Sequence, residues 1–392
     1  MNRIALALTL VLSFQVAYAE RSLTATLYPI IPDREAFYWS VQKEFQAKYP
    51  EIRLTITLND DYYDEEKGIL NEVADVYEID SVLMPDMIKK GKARPLTGLI
   101  DNLDSKDFVP PASVIVRNKI WYGYPHWACS NFLFIGSVAG QQHKPVRTLS
   151  ELEGLLKPER SHGLIIDLKG RSTLGELYLD SLMDQFGDEE EALARVGNEP
   201  DASTLTLFHR VQKLTVPRFG RNQRYHDSTG FYARQFARRQ GRAFVGYSES
   251  LHFVHKARSY ECEINEKCLT EEEIQVAEWP MSATGSHPIA WIDSLAIDQR
   301  LEGQKLADAV TFVRFLASSH IYRKALLPAF GQSPRYLIPA LLAPLDDPDI
   351  VKAAPLYSQL RPIIWKSRAV YSEGLNRRLR KIGGELNKRL PE

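Results

Sequence analysis

Read for alternation and helical spacing, the chain resolves into alternating strands and helices from about residue 22 onward. "LTATLYP" reads as a strand, and "DREAFYWSVQKEFQAKY" follows with Phe37, Val41 and Phe45 on one helical face behind an Asp33 N-cap. "IRLTITL" then alternates as a second strand, so the three segments predict a right-handed parallel unit. "ADVYEID" predicts a third strand that ends at Asp80, and "SVLMPDMIKKG" a helix leading away from it. Asp80 is thereby expected at the carboxyl end of a parallel strand, where open α/β sheets bind ligands. The nearly continuous apolar run "IWYGYPHWACSNFLFIG", from Ile120 to Gly136, reads as a buried crossing strand.

Beyond it the pattern continues with "LSELEGLL" (helix), "HGLIIDL" (strand) and "TLGELYLDSLMDQFG" (helix). "STLTLFHRVQKLT" and "YARQFARRQ" predict helices, the second feeding the strand "RAFVGY". "HPIAWIDSLAID" predicts a returning strand, "KLADAVTFVRFLAS" a helix, and Leu375, Leu379, Ile382 and Leu386 one stripe of a C-terminal helix. This is the pattern of a two-lobed α/β chain that leaves its first lobe near residue 135 and returns near residue 288. The expected division is a first lobe over 20–135, a second over 136–287, and a return with C-terminal helices over 288–392.

Composition narrows the classes. The N-terminus carries Arg3, then "IALALTLVLSF", then "AYA", the order of a cleaved signal peptide over 1–19 with the cut near Ala19. The expected location is therefore periplasmic or secreted, with no other segment approaching a membrane span. About 370 mature residues exceed what one hydrophobic core usually holds. With 49 basic and 50 acidic residues the net charge is −1, which calls for neither nucleic acid nor an anionic membrane. "FARRQGR" and "NRRLRKIGGELNKRL" read as solvated helix faces. Exported, two-lobed and crossed twice, the chain resembles the type 2 periplasmic-binding-protein architecture, in which ligand lies in the inter-lobe cleft.

There are three cysteines. An oxidising compartment favours pairing, and "CEINEKC" places Cys262 and Cys268 in one polar stretch suited to a bridge. Cys129 is left over, as a small buried hydrophobe or as a protected nucleophile. No cysteine spacing suits zinc, and "HFVH" (His252, His255) lacks the i, i+4 metalloprotease pattern. Strand alternation sets His126 on the face opposite Cys129, so a base for the thiol has to come from elsewhere. In "GRAFVGYSESLHF" a strand ends at Tyr247, and Ser248 and Glu249 open what reads as a helix. Ser248 as a cap with Glu249 in the first turn is one reading; a carboxylate aimed into the cleft as general base is the other.

"LYPIIPDREAF", "VYEIDSVLM", "YGYPHWACSNFLF", "GRAFVGYSES" and "WIDSLAID", in this order over nearly the whole mature chain, resemble thiaminase I (thiamine pyridinylase), a secreted family with the periplasmic-binding-protein fold. The resemblance implies a thiamine-cleaving transferase with Cys129 as nucleophile and Glu249 as general base. It implies Asp80 and Asp293 around the pyrimidine, and Tyr28, Tyr62 and Tyr247 as aromatic walls together with Trp291. Ser130 stands where the family has Thr, Trp291 where it has Tyr, and the loop around residues 260–272 is an insertion. A thiolate adding to the electron-poor pyrimidine allows neutral thiazole to leave, and a second base or nucleophile completes the exchange. Neither cofactor nor metal is expected, and the partners are thiamine and the co-substrate, acted on by a monomer. The alternative is a non-catalytic thiamine or pyrimidine receptor of a transporter, which has no use for Cys129.

Overall fold

The computed structural model describes residues 21–101, 103–137, 144–156, 163–216, 230–262, 268–283, 285–329 and 332–390. The expected signal peptide lies outside these residues. Parallel β1 (Arg21–Leu27) and β2 (Ile52–Leu58) flank α1 (Arg34–Lys48), and β3 (Val76–Asp80) joins β1 on its other side, leading into α2 (Met84–Lys89). After a small hairpin of β4 (Val116–Arg117) and β5 (Ile120–Trp121) comes β6 (Tyr124–Cys129), which belongs to the same sheet. The sheet is completed by β11 (Trp291–Ile297) and β12 (Ile338–Pro339), in the order β12-β6-β11-β3-β1-β2. A second sheet, β10-β7-β9-β8, holds β7 (Phe132–Gly136), β8 (Leu164–Ile165), β9 (Ala243–Gly246) and β10 (Ile274–Glu278). It carries α3 (Leu149–Leu156), α4 (Arg171–Phe186), α5 (Glu189–Arg195), α6 (Ala202–Leu214), α7 (Phe231–Ala237) and α8 (Ser250–Lys256). The chain ends through α9 (Gly303–Leu316), α10 (Ser319–Leu326), α11 (Leu342–Leu345), α12 (Pro348–Ala353), α13 (Tyr357–Lys366) and α14 (Leu375–Arg389).

Two lobes built on separate sheets make this a type 2 periplasmic-binding-protein-like fold. The boundaries differ from the expected ones. The apolar run from Ile120 to Gly136 is three strands, and β7 pairs with β9 and β10 in the second sheet, so the first crossing falls at Ser130–Asn131, ahead of residue 135. The return runs from Trp279 to Ala290. Both crossings are tied to α4: Asn131 Nδ2 donates to Asp180 Oδ2 at 2.7 Å, and Met281 N donates to Asp184 Oδ2 at 2.7 Å. Burial pushes these two carboxyls up, to about 7 for Asp180 and about 8 for Asp184.

The C-terminal helices do not simply rejoin the first lobe. α14 lays its buried stripe of Leu375, Leu379, Ile382 and Leu386 along α4, because glycines let the backbones touch. A Cβ at Gly383 would lie 1.9 Å from Arg171 O, and one at Gly175 2.3 Å from Leu379 O. Neither expected cap makes a side-chain bond to its helix, although Asp33 does hold the N-cap position of α1. Asp33 precedes α1 with φ 52°, a left-handed backbone that leaves its carboxylate off the helix end and 3.4 Å from Lys256 Nζ of α8. Ser248 caps nothing; α8 starts at Ser250, and the Ser248 hydroxyl turns to Glu249 Oε2 at 3.3 Å.

Candidate active site

Between the sheets lies a cavity of about 540 Å³ whose lining includes Tyr28, Tyr63, Asp80, Cys129, Glu249 and Trp291. Its volume suits a small molecule. The first sheet supplies strand ends. Cys129 is the last residue of β6 and pairs with Trp291 at the start of β11, while Asp293 pairs with Trp127 on one side and Asp80 on the other. Paired residues share a sheet face, so Cys129, Trp291, Asp293 and Asp80 are gathered on one side.

Asp80 is held by three donors. Val82 N at 2.8 Å and Ser81 Oγ at 3.3 Å donate to Oδ1, and the Tyr63 hydroxyl donates to Oδ2 at 2.7 Å. Asp293, 2% exposed, has a buried Oδ1 without a hydrogen-bond partner. Burial and the neighbouring Asp80 and Glu78 carboxylates push Asp293 well above the usual carboxyl range. Burial raises Asp80 as well, but its three donors ease it, so the proton of this facing pair rests on Asp293 and the charge on the better hydrogen-bonded Asp80.

The second sheet contributes through the turn after β9. Tyr247 donates its hydroxyl to Glu176 of α4, and Glu249 faces the cavity just ahead of α8. Burial lifts Glu249 to about 7. The Cys129 thiol is raised well above its usual value, by burial first and then by Asp293, Asp80 and Glu249. At rest Cys129 is a thiol, and Glu249 is a carboxyl balanced near neutrality on the same cavity.

Tyr62 is placed differently from its expected role. It is 2% exposed and behind the wall, donating its hydroxyl to Glu78 O at 2.8 Å and accepting from Asp80 N at 2.8 Å. Its neighbour Tyr63 is the ring at the cavity, with its hydroxyl 3.4 Å from that of Tyr28. In "DYYDEE" no periodicity distinguishes the two tyrosines. Glu176, Phe253 and Arg380 also line the cavity and were not singled out. Arg380 belongs to the stretch read as a solvated helix face, yet the packing of α14 on α4 brings it to within 3.6 Å of Asp64. Cys262 and Cys268 are bonded to each other, away from this site. Among the described residues no cluster of His, Cys, Asp or Glu has the arrangement of a metal site, and no helix is long and apolar enough to cross a membrane.

Residues 146–269 match the family model described as the Thiaminase-1 domain. Over 365 residues the chain is 27% identical to Thiaminase-1 of Paenibacillus thiaminolyticus, covering 89% of this chain and 83% of that protein. The chain resembles thiaminase I. Thiaminase I of Clostridium botulinum, solved in complex with thiamin, superposes with a TM-score of 0.79 at 21% identity over 94% of this chain and all of that one. The maltose-bound MalE3 of T. maritima, a likeness outside thiaminase I, superposes with a TM-score of 0.66 at 17% identity, covering 94% of this chain and 100% of that chain. At such identities the solved structures establish the fold, which thiaminase I shares with solute-binding proteins.

Proposed function

We propose that this protein is a thiamine pyridinylase: a transferase that cleaves thiamine by exchanging its thiazole for another base or nucleophile through a covalent Cys129 adduct. The observation that carries the reading is that a free thiol and a carboxyl poised at about 7 share one acidic, aromatic-walled cavity. A receptor that only bound its ligand would have no need of that pair. The likeness to Thiaminase-1 supports thiamine as the substrate.

Glu249 takes the Cys129 proton, and the thiolate forms an S–C bond to the electron-poor pyrimidine ring. The bond between the methylene carbon and the thiazolium nitrogen then breaks, its electron pair leaving on neutral thiazole. The incoming nucleophile, giving up any proton to a base in the cleft, bonds to the methylene. The S–C bond then breaks to restore the aromatic ring, and sulfur leaves as thiolate. Asp80 as acceptor and Asp293 as proton-bearing donor hold the aminopyrimidine. Tyr28, Tyr63, Tyr247 and Trp291 provide faces for the cationic thiazolium, worth about 0.5–2 kcal/mol. Export with cleavage near Ala19, and action as a cofactor-free monomer, belong to the same reading.

The deciding test is incubation of the wild type and Cys129→Ser with thiamine and excess pyridine or aniline, with products read by mass spectrometry. A base-exchanged pyrimidine is expected from the wild type only. Intact thiamine with tight binding in both would make the protein a receptor.

A further inference from the structure

Behind the cavity wall sits a second pair of titratable groups with no part in the steps above. Glu78 of β3 is fully buried and His126 of β6 is 1% exposed, with His126 Nδ1 2.5 Å from Glu78 Oε1. A local irregularity brings them together. Between Asp293 and Ser294 of β11 the register with β6 shifts, so that Trp127 faces Asp293 but Pro125 faces Ser294, and His126 has no register partner on β11. A bulge of this kind re-aims the extra side chain, here onto Glu78. The second Glu78 oxygen accepts from Tyr28 N at 2.9 Å. The Tyr38 hydroxyl lies 2.9 Å from Tyr28 O and 3.2 Å from Glu78 Oε2, so both main-chain polar groups of Tyr28 are anchored to this cluster.

We propose that Glu78, clamped by His126, is a positioning residue for the reaction: it fixes the Tyr28 wall and places a carboxylate one strand step below Asp80. The inference rests on the thiamine-exchange reading given above. Glu78 and Asp80 share a face of β3, with Leu295 and Asp293 opposite them on β11. The titratable groups around Asp293 are Asp80 and Glu78 of β3, Glu249 ahead of α8, Cys129 of β6, Tyr38 of α1, and Tyr28, Tyr62 and Tyr63 from the loops, with His126 of β6 behind them on Glu78. All but His126 are acids, and Glu78 is among the carboxylates that hold the proton on Asp293. Stability alone is a poor reason for such a pair, because desolvating two ionisable groups commonly offsets their attraction.

Glu78→Gln keeps the shape and the acceptor for Tyr28 N while removing the acid. In the thiamine–pyridine exchange assay it is expected to lower kcat about tenfold to a hundredfold. The alkaline limb of its kcat/KM profile is expected at lower pH, since Asp293 gives up its proton more readily; a residue that merely held the fold would leave that limb in place. Glu78→Asp, which restores the charge, is expected to return the limb toward its wild-type position. Tyr38→Phe deletes one hydroxyl and serves should Glu78→Gln not fold: its KM for thiamine is expected to rise several-fold at unchanged kcat. A folded Glu78→Gln with wild-type kcat and an unmoved limb overturns the proposal, as does an unchanged KM in Tyr38→Phe. A wild type that binds thiamine without turnover would instead overturn the reaction; the positioning of Tyr28 is then read from the thiamine Kd of Tyr38→Phe, where no change overturns it.

Discussion

The two lobes set buried carboxyls at one cavity, Asp80 and Glu249, and just behind it, Asp293, by different electrostatic means. On the first lobe, Asp80 and Asp293 face each other across β3 and β11, with Glu78 one step further in. On the second, Glu249 sits at a turn, raised by burial first and eased by its own backbone N–H and the Ser248 hydroxyl, while it adds to the crowding felt by Asp293. Crowding added to burial on the first lobe leaves a proton that stays bound, whereas burial as the main cause leaves a carboxyl balanced near neutrality. One fold thus offers a hydrogen-bond donor and a proton acceptor from the same residue chemistry.

The largest effect that would break this contrast is loss of the second-lobe base. Glu249→Gln is expected to reduce kcat about 10²–10⁴-fold in the exchange assay. Wild-type kcat/KM is expected to rise with pH through about 7, as Glu249 ionises, and the variant to lose that limb. A Glu249→Gln enzyme retaining the limb would assign the base elsewhere.

Next in size is a stability effect confined to the crowded pair. The folded-state pKa of Asp293 lies above that of an unfolded Asp, so folding takes up a proton. That contribution is full below the unfolded value of about 4 and is lost as pH rises toward the folded value. Asp293→Asn needs no such proton and should melt higher than wild type at pH 8, by about 1.4 kcal/mol for each pH unit gained over the unfolded pKa until the folded value is reached. The same variant should exchange thiamine more slowly. Equal melting at pH 8 would mean that Asp293 is not the proton-bearing partner.

One strand end was legible in the sequence because a strand's last residue can be counted. "VYEID" gives Asp80 in this way, whereas Cys129, inside a run read as one strand, and Asp293, third in β11, were indicated by the family resemblance; the structure pairs the three segments side by side. What period-two counting misses is anything set by register or by helix–helix contact. The bulge that turns His126 onto Glu78 leaves no mark in "YPHWAC". Arg380 reaches the cavity only because Gly175 and Gly383 let α14 close on α4, a property of two distant segments together. The crossing at Ser130–Asn131 was hidden because β6 and β7 are both apolar, although they belong to different sheets.

The smallest and most discriminating test separates the adjacent tyrosines, which hold the same aspartate from two sides. Tyr63→Phe removes a hydroxyl at the cavity that donates to Asp80 Oδ2 at 2.7 Å. Solvent and substrate can reach the gap, so melting should hardly move, while KM for thiamine should rise by the value of one hydrogen bond, about 0.5–1.5 kcal/mol. Tyr62→Phe removes a hydroxyl that bridges Asp80 N and Glu78 O behind the wall, where water does not enter. Two buried main-chain groups then lose a partner, at a cost of about 1–3 kcal/mol each, read as a lowered melting temperature. The KM of Tyr62→Phe should change less than that of Tyr63→Phe. The reverse result, a KM effect from Tyr62 and a stability effect from Tyr63, would return Tyr62 to the cavity as the sequence resemblance had it.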